Sequence, residues 1–399
     1  MDFSIASTPE EEKFREEVKE FLKQEAADIE IVTNARGSER NDESNLASRR
    51  IAKELGRKGW LSLTWPVEYG GKGAAGIPLK LVFTDESSKA NLPGVNGFGL
   101  EMLAPILLAH GTEEQKRKHL IPIGKGEIFW CEGFSEPNAG SDLFSLQTKA
   151  VDAGDHFVVN GQKIWTTGAH RSDWGFFLVR TDPNAPKKHL GLSFILIDMK
   201  TPGVTVKPIQ NMAGVYDFCE TFLDDVKVPK ENLVGKLNEG AGVAGALLNA
   251  ERSSLILVGS GARRSVDRLV QYLKESESNG SLRGEKSVWL YKLAEVAIKS
   301  EIAGLFGKEA YWLQSQGRDY TLMASLGKVF SSELNQQIID LGSQLLGLHG
   351  QLMKGSKWAW QDGLIGQTYL NSHQSRLLGG SSEIQRTTIA TRGLGLPRR

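Results

Sequence analysis

The chain of 399 residues has few cysteines and no net charge, and both absences narrow the class of protein. Its two cysteines, Cys131 and Cys219, lie far apart in the sequence, so a disulfide framework is not the stabilising device and a reducing compartment fits well. The 48 basic residues balance the 48 acidic residues, which leaves no global field to attract nucleic acid or a membrane surface. We therefore expect an ordinary globular protein without a nucleic-acid partner.

The sequence also lacks segments that direct a chain to or across a membrane. No run approaches the eighteen apolar residues of a candidate membrane-spanning helix, so we expect no membrane span. The first residues, MDFSIASTPEEEKF, contain neither a basic region nor an apolar region, so no secretory signal is visible. These features predict a cytoplasmic protein.

The motifs of several common enzyme classes are absent as well. The chain contains no Walker A loop, no HExxH zinc motif and no GxSxG nucleophile elbow. The single approximation to a dinucleotide fingerprint, Gly259-Ser260-Gly261, lies within a predicted helix and follows no strand. The seven histidines do not cluster with carboxylates at metal-ligand spacing, so we expect no metal site.

The pattern that is present changes twice along the chain. Residues 1–127 show helical periodicity, residues 128–238 are rich in β-branched and aromatic residues between turn signals, and residues 239–399 return to long helical periods. This order predicts an α+β protein with three domains. They are an N-terminal helical domain, a middle β-domain that forms a small barrel or sandwich, and a C-terminal helical bundle.

Local signals predict particular elements within these domains. Capping boxes predict that helices begin after Thr8 and after Thr112. The Asn160-Gly161 pair lies between two apolar arms and predicts a hairpin turn. The periodic stretch Gly240–Lys274 predicts the first long helix of the C-terminal domain.

Two short stretches are candidates for binding a large ligand. Residues 133–142, GFSEPNAGSD, lie where the helical part gives way to the β-domain, and their small residues and exposed amides let the main chain approach a ligand closely. An ordinary glycine-containing turn is the alternative. Residues 165–168, WTTG, follow the second predicted hairpin strand, where a tryptophan is either a core residue or the wall of a cofactor site.

Taken together, these stretches closely resemble the first signature of the acyl-CoA dehydrogenase family and its flavin-contacting Trp-x-Thr. The resemblance covers essentially the whole chain, because residues 111–116 (GTEEQK), 225–235 (DVKVPKENLVG) and 380–386 (GSSEIQR) also match in the right order. What the resemblance implies is an FAD-dependent oxidoreductase of fatty acid metabolism, acting in β-oxidation on an acyl-CoA substrate.

The family binds FAD in a crevice between its β-domain and its C-terminal bundle, and the resemblance assigns the contacts residue by residue. They are Phe134 and Ser135 at the flavin ring, Gly140 and Ser141 at the pyrophosphate, Trp165 and Thr167 beside the isoalloxazine, Gln344 and Gly347 from a neighbouring subunit at the adenosine half, and Ser381 and Glu383 elsewhere on the cofactor. Ser141 and Arg252 are the expected substrate contacts.

The resemblance places the catalytic base at Glu251. Many members carry the base as a glutamate in a Tyr-Glu-Gly-Thr stretch, where this chain has Gly379 in place of the glutamate. A smaller branch, which includes isovaleryl-CoA dehydrogenase, carries the base on the first long helix of the C-terminal domain, and Glu251 matches that position. Gly379 keeps the backbone N–H with which the family binds the thioester oxygen.

Helical periodicity supports this assignment independently. Leu247 lies one turn before Glu251 and Leu255 one turn after it, so the glutamate lies on an apolar stripe. Burial raises the proton affinity of a carboxylate, as a base for a weakly acidic α-proton requires. A partly exposed glutamate paired with a neighbouring arginine is the alternative.

Two departures from the family pattern bear on assembly. Residues 278–284, SNGSLRG, replace the usual Arg-x-x-Phe-Gly segment, and Leu348 replaces a glycine. Such changes resemble bacterial branches that oxidise branched, cyclic or dicarboxylic acyl groups, some of them as heterotetramers. We expect a homotetramer or heterotetramer that passes electrons to an electron-transferring flavoprotein. A flavin oxidase on the same fold and a non-catalytic partner subunit that completes another chain's active site are the alternatives.

Overall fold

The computed structural model describes most of the chain: residues 7–25, 27–30, 42–90, 92, 95–253, 256–282 and 284–397, with the backbone alone at 42, 249–253, 256–260, 311, 314 and 315. The chain forms two compact units, Met1–Ala250 and Glu251–Arg399. The architecture is α+β, with helices, then a β-sheet, then helices, as the sequence predicts. No helix in the described ranges is both long enough and apolar enough to cross a membrane.

The first unit begins with helices that bury one apolar face. They are α1 (Pro9–Gln24), α2 (Asp42–Arg57), α3 (Gly76–Lys89), α4 (Ala104–His110) and α5 (Glu113–Gly124). Both predicted capping boxes are confirmed: the Thr8 hydroxyl accepts from Glu11 N, and the Thr112 hydroxyl accepts from Gln115 N. Each box satisfies amide groups that the first turn of a helix leaves without a helical partner.

The apolar stripe of α1 packs against aromatic side chains. Phe14 and Phe21 both meet the Trp60 ring edge to face, at centroid distances of 5.3 Å. Phe83 of α3 lies on the same indole at 5.9 Å. Aromatic pairs in this geometry stabilise a core by about 1 kcal/mol beyond their buried area, so Trp60 links α1 to α3.

After these helices the first unit continues with a sheet of eight short strands. They are β1 (Trp130–Gly133), β2 (Lys149–Asp152), β3 (His156–Lys163), β4 (Trp174–Arg180), β5 (Leu192–Asp198), β6 (Val204–Ile209), β7 (Phe218–Pro229) and β8 (Leu233–Val234). Their order is β6-β7-β3-β2-β4-β5-β8, and β1 pairs in parallel with β4. β4 and β5 are buried along almost their whole length, as expected for their nearly continuous apolar runs.

The hairpin predicted at Asn160-Gly161 is wrong. Both residues lie inside β3, and the turn between β2 and β3 is formed by residues 153–155, where Ala153 N donates to His156 O. The Asn160 side chain instead bonds across the ladder to Asp225, which has a φ of 47°. Gly161 follows a register shift and passes so close to Thr148 that a Cβ would lie 2.7 Å from its Cα. The pair serves a bulge and a close approach rather than a turn.

The second unit is a helical bundle. The preceding helix α6 (Gly240–Ser253) lies mostly in the first unit. The helices of the second unit are α7 (Ile256–Ser278), α8 (Lys286–Ser315), α9 (Thr321–Leu346), α10 (Leu364–Ser372) and α11 (Ser382–Thr388). The single helix predicted over Gly240–Lys274 is thus assigned as α6 and α7, with residues 254 and 255 outside the described ranges. The bundle core repeats at helical spacing, as in Leu334, Ile338, Leu341 and Leu345 of α9.

Candidate active site

The two sequence-predicted ligand stretches of the first unit lie side by side. Residues 133–142 begin at the last residue of β1, and residues 165–168 come shortly after the end of β3. Ser135 O accepts a hydrogen bond of 2.9 Å from Ile164 N, which joins the two segments directly. Ser135 is half-buried and Trp165 is exposed, so both present surface to a ligand. The fold therefore brings together residues 30 positions apart at one edge of the sheet.

An ion pair that the sequence analysis missed lies beneath these segments. Lys163, the last residue of β3, is fully buried and donates to Glu136 Oε1 (2.8 Å), Phe134 O (3.0 Å) and Leu178 O (2.7 Å). Glu136 also accepts from Gln147 N (2.6 Å) and Thr148 N (2.8 Å). All three ammonium hydrogens thus have acceptors, which is the condition under which a buried charge is tolerated.

The titration of this pair follows from its surroundings. Burial lowers the pKa of Lys163 to about 8, although the charge of Glu136 and its hydrogen bond act in the opposite direction. Burial raises the pKa of Glu136, but the Lys163 charge and the hydrogen bonds outweigh it, so the pKa lies below its usual value. Both groups are predominantly ionised at neutral pH.

Trp165 occupies a backbone conformation that L-residues seldom adopt. Its φ is 61° and its side chain is 53% exposed, with the indole edge-on to Phe218 at 5.8 Å. The flanking chain is held to β7, because Thr166 N donates to Cys219 O (3.0 Å) and Gly168 N donates to Asp217 O (2.8 Å). Such a conformation costs on the order of 1 kcal/mol and marks a place where the surrounding structure over-determines the backbone. An exposed aromatic face in this position suits a planar ligand.

The other predicted residues of the first unit differ in exposure. The Phe134 side chain is buried against Phe176 (5.9 Å) and Phe194 (6.0 Å), so a ligand would meet the backbone of this residue, and its place at the flavin ring stays a prediction. Gly140 is exposed, and a Cβ there would meet no described atom within 4 Å. Ser141 is exposed and Thr167 is half-buried.

The predicted residues of the second unit fall into two groups. Gln344 lies exposed near the end of α9, where Lys292 Nζ donates to its Oε1 (3.2 Å), and Gly347 ends the helix at a φ of 58° and ψ of −131°. Glycine alone adopts that conformation readily. Leu348 lies in the short 3-10 helix Gly347–Gln351 that follows the end of α9.

The second group surrounds the start of α11. Gly379 has a φ of 62°, and its carbonyl accepts from Gln385 Nε2 at 2.8 Å. Ser381 is the N-cap of α11 and accepts from Ile384 N (3.3 Å). Hydrogen bonds from its own backbone amide and from Ser381 lower the pKa of Glu383, which is exposed. A carboxylate in the first turn of a helix is stabilised in the charged form.

The candidate base lies on α6, and its side chain is outside the described residues. Glu251 is the residue at which the second compact unit begins, and Arg252 follows it on the same helix with its side chain likewise outside the description. One and two turns earlier, Leu247 and Val243 are buried in the core of the first unit, as the apolar stripe predicts. The catalytic role of Glu251 stays a prediction.

Sequence reasoning missed Glu136 and Lys163 although a signal for them was present. Phe157 and Val159 are buried on one face of β3, and the alternation of side chains along the strand places Lys163 on the same face. A lysine on the core-facing side of a strand requires a partner, and Glu136 in the glycine-rich stretch was available.

Comparison with known families agrees with this architecture. The acyl-CoA dehydrogenase N-terminal domain matches residues 8–127, the middle domain matches residues 131–226 and the C-terminal domain matches residues 238–394. The chain therefore belongs to the acyl-CoA dehydrogenase family. The family resemblance inferred from the sequence motifs is confirmed.

Individual relatives are similar over their full lengths. The chain is 35% identical to acyl-CoA dehydrogenase FadE26 of Mycobacterium tuberculosis, with 99% of each chain covered. It is 34% identical to acyl-CoA dehydrogenase FadE29 of the same organism, again over 99% of each. Among solved structures, the Tcur3481-Tcur3483 steroid ACAD has a TM-score of 0.86 at 31% identity, and the ChsE4-ChsE5 complex from Mycobacterium tuberculosis has 0.81 at 33%, both covering 100% of each chain.

These similarities define an oxidoreductase of the acyl-CoA dehydrogenase type. Members of this family are flavoproteins. The fold and the enzyme class follow from the comparisons, whereas the roles of the individual site residues stay predictions.

Proposed function

We propose that this protein is an FAD-dependent dehydrogenase that converts an acyl-CoA thioester to the trans-2-enoyl-CoA. The observation that carries the proposal is the exposed Trp165 indole, which is held at a φ of 61° beside Ser135 at the edge of the sheet. The protein core does not require this conformation for packing, because the ring is 53% exposed. A planar ligand against the indole accounts for its placement.

The residues present fit FAD. In the first unit, the Phe134 backbone, Ser135, Trp165 and Thr167 would hold the ring system, since they form adjoining segments with half-buried hydroxyl groups and one exposed aromatic face. Gly140 and Ser141 would hold the pyrophosphate, because the open space at Gly140 admits a ligand at the backbone.

Four residues of the second unit are further proposed contacts of the cofactor. Gln344 and Gly347 at the end of α9 would reach the adenosine half of FAD bound to a neighbouring subunit, and Ser381 and Glu383 at the start of α11 would contact the cofactor elsewhere. When bound, FAD supplies the acceptor for the hydride that leaves the β-carbon.

The reaction requires a base, and we assign that role to the Glu251 carboxylate. An α-proton of a thioester is weakly acidic, so the base must have a high proton affinity when the substrate is bound. A carboxylate from which substrate excludes water meets this need because its charged form loses solvation. The buried Val243 and Leu247 on the preceding turns of α6 support an apolar environment for this helix face.

The negative charge that develops on the thioester oxygen requires a positioned donor. We assign this role to the backbone N–H of Gly379, where a φ of 62° suits a residue without a side chain. Glycine in place of a glutamate keeps the amide and leaves the proton transfer to Glu251. Ser141 and Arg252 would contact the CoA part of the substrate.

The acyl group is proposed to be large and cyclic. The Tcur3481-Tcur3483 protein, 31% identical, is described as a steroid ACAD. That description favours a steroid-derived CoA thioester over a short straight chain, within the branched, cyclic and dicarboxylic classes considered from the sequence.

The assembly is proposed to be a tetramer that passes electrons to an electron-transferring flavoprotein. Two similar solved structures contain a pair of named proteins, Tcur3481-Tcur3483 and ChsE4-ChsE5. This favours a heterotetramer, or a role in which the chain contributes half of a shared site, over a homotetramer. A cytoplasmic location stays a prediction.

The test is anaerobic reduction of the purified protein by a panel of acyl-CoA thioesters. A steroid-derived thioester should bleach the flavin absorption near completion, and a short straight-chain thioester should bleach it poorly. Peroxide production during aerobic turnover would favour an oxidase. A colourless protein that co-purifies with a second chain of the family and is never bleached would favour a non-catalytic subunit.

A further inference from the structure

Glu136 and Lys163 lie where the two flavin-binding segments of the first unit meet. Lys163 precedes Ile164 and Trp165 at the end of β3, and it donates to Phe134 O at the end of β1 (3.0 Å). Glu136 begins the turn 136–139, in which Ala139 N donates to Glu136 O (3.0 Å), and Gly140 follows directly. Glu136 thus belongs to one segment and Lys163 directly precedes the other, so the ion pair between them joins the two segments.

The pair also connects these segments to rigid parts of the sheet. Lys163 Nζ donates to Leu178 O in the middle of β4 at 2.7 Å. Glu136 accepts from the amides of Gln147 and Thr148, immediately before β2. Two charged side chains therefore fix the ends of β1 and β3 against β2 and β4. No ligand contact explains this arrangement, because Lys163 is completely buried and Glu136 is only 8% exposed.

We propose that Glu136 and Lys163 are positioning residues that set the spacing between the Phe134–Ser135 segment and Trp165, and so determine the affinity for FAD. The pair acts through the backbone and touches neither cofactor nor substrate. The hydrogen bond from Ile164 N to Ser135 O (2.9 Å) aligns the two segments with each other, but it does not fix the position of the turn 136–139. The ion pair fixes the turn as well.

This inference rests on the proposed binding of FAD. Its physical basis is that a hydrogen bond to a charged group is stronger and more directional than one between neutral groups. Loss of the Lys163 ammonium would remove the donor to the Phe134 and Leu178 carbonyls and would leave the Glu136 carboxylate with only the Gln147 and Thr148 amides, so the segment ends would separate. Preorganisation of the flavin face would be lost even where the chain stays folded.

The experiment compares holoenzymes of the wild type, Lys163→Met, Glu136→Gln and the double variant Glu136→Gln/Lys163→Met. Two quantities are measured for each: the dissociation constant of FAD, from the fluorescence of FAD released on dilution, and the midpoint of urea unfolding. Glu136→Gln is the mildest change, because the amide oxygen still accepts from Lys163, and it gives a result if Lys163→Met does not fold.

A matched control is the ion pair between Arg15 and Glu86, which joins α1 to α3. Arg15 Nη1 donates to Glu86 Oε1 at 2.6 Å, and the Glu86 side chain is 5% exposed. Arg15→Met should lower the unfolding midpoint and leave the FAD dissociation constant within about twofold of the wild type, because it breaks a partly buried pair in the helical part of the first unit.

The proposal predicts a split between the two measurements. Lys163→Met and the double variant should weaken FAD binding by about tenfold or more. The double variant should regain part of the lost unfolding midpoint, since it leaves no unpaired buried charge, but it should not regain FAD affinity.

Two results would overturn the positioning role: FAD affinity that recovers together with stability in the double variant, or equal weakening by Arg15→Met. A wild-type protein without FAD would instead refute the proposed function itself.

Discussion

Lowering the pH from 7 to 5 should destabilise the protein through His119, a buried residue of α5. Its ring lies between Trp130 (5.2 Å) and Trp174 (4.9 Å), edge-on to both, and its Nε2 has no hydrogen-bond partner among the described residues. Burial, with a smaller contribution from the charge of Lys118, lowers the pKa of His119 from 6.5 to about 4. The folded protein therefore resists protonation at a pH where the unfolded chain is already protonated.

The direction and size of the effect follow from linkage. Because the folded pKa lies below the unfolded value, stability is complete above pH 6.5 and is lost as the pH falls toward about 4. The gap corresponds to about 3 kcal/mol in full, of which about 2 kcal/mol should be lost by pH 5. His119→Phe keeps an aromatic ring in the same place and cannot be protonated, so it should not show this loss.

Urea unfolding followed by tryptophan fluorescence measures the effect. The free energy of unfolding of the wild type should fall between pH 7 and pH 5 by about 2 kcal/mol more than that of His119→Phe. His110→Gln, which changes an exposed histidine at the end of α4, should behave like the wild type. Parallel pH dependence of the wild type and His119→Phe would refute the reasoning.

Three further predictions concern local structure. Gly161→Ala should destabilise the protein by more than about 1 kcal/mol, because a Cβ would lie 2.5 Å from Thr148 Oγ1. Gly304→Ala in α8, where a Cβ would meet no described atom within 4 Å, should instead stabilise it by about 0.5 kcal/mol. The midpoints of urea unfolding compare the two variants. Thr112→Ala should cost about 1 kcal/mol in the same assay, since it removes the cap of α5, and an unchanged midpoint would contradict the cap. Trp165→Ala should weaken FAD binding by about fivefold, whereas Trp358→Ala, which removes an indole of similar exposure (65%), should not; equal effects would reject the proposed flavin face.

The sequence predicted the elements that depend on local chemistry. The hydroxyl groups of Thr8 and Thr112 cap helices through contacts only three residues away, and both predicted helix starts are confirmed. The apolar stripe of α1 is likewise a local pattern. Such signals do not depend on which segments the chain later brings together.

Features that depend on distant contacts were not predictable in this way. Asn160-Gly161 has the residue types of a turn. The Asn160 side chain instead donates a hydrogen bond to Asp225, 65 positions further along the chain, and the pair lies within a strand. The alternation of β3 indicates that Lys163 is buried, but its partner Glu136 lies 27 positions earlier in the chain, and only the folded structure brings the two together. The motifs that resemble flavin-binding segments are visible in the sequence. The left-handed backbone conformation of Trp165 is not, because the contacts of the surrounding structure determine it.

The central claim is that the Glu251 carboxylate removes the α-proton, and flavin reduction in a single turnover tests it most directly. The wild type, Glu251→Gln and the control Glu239→Gln, at an exposed position just before α6, are each mixed anaerobically with an acyl-CoA that bleaches the wild type. We expect all three to bind FAD, the control to bleach at the wild-type rate, and Glu251→Gln to bleach about a thousandfold more slowly. Bleaching of Glu251→Gln at the wild-type rate would contradict the account.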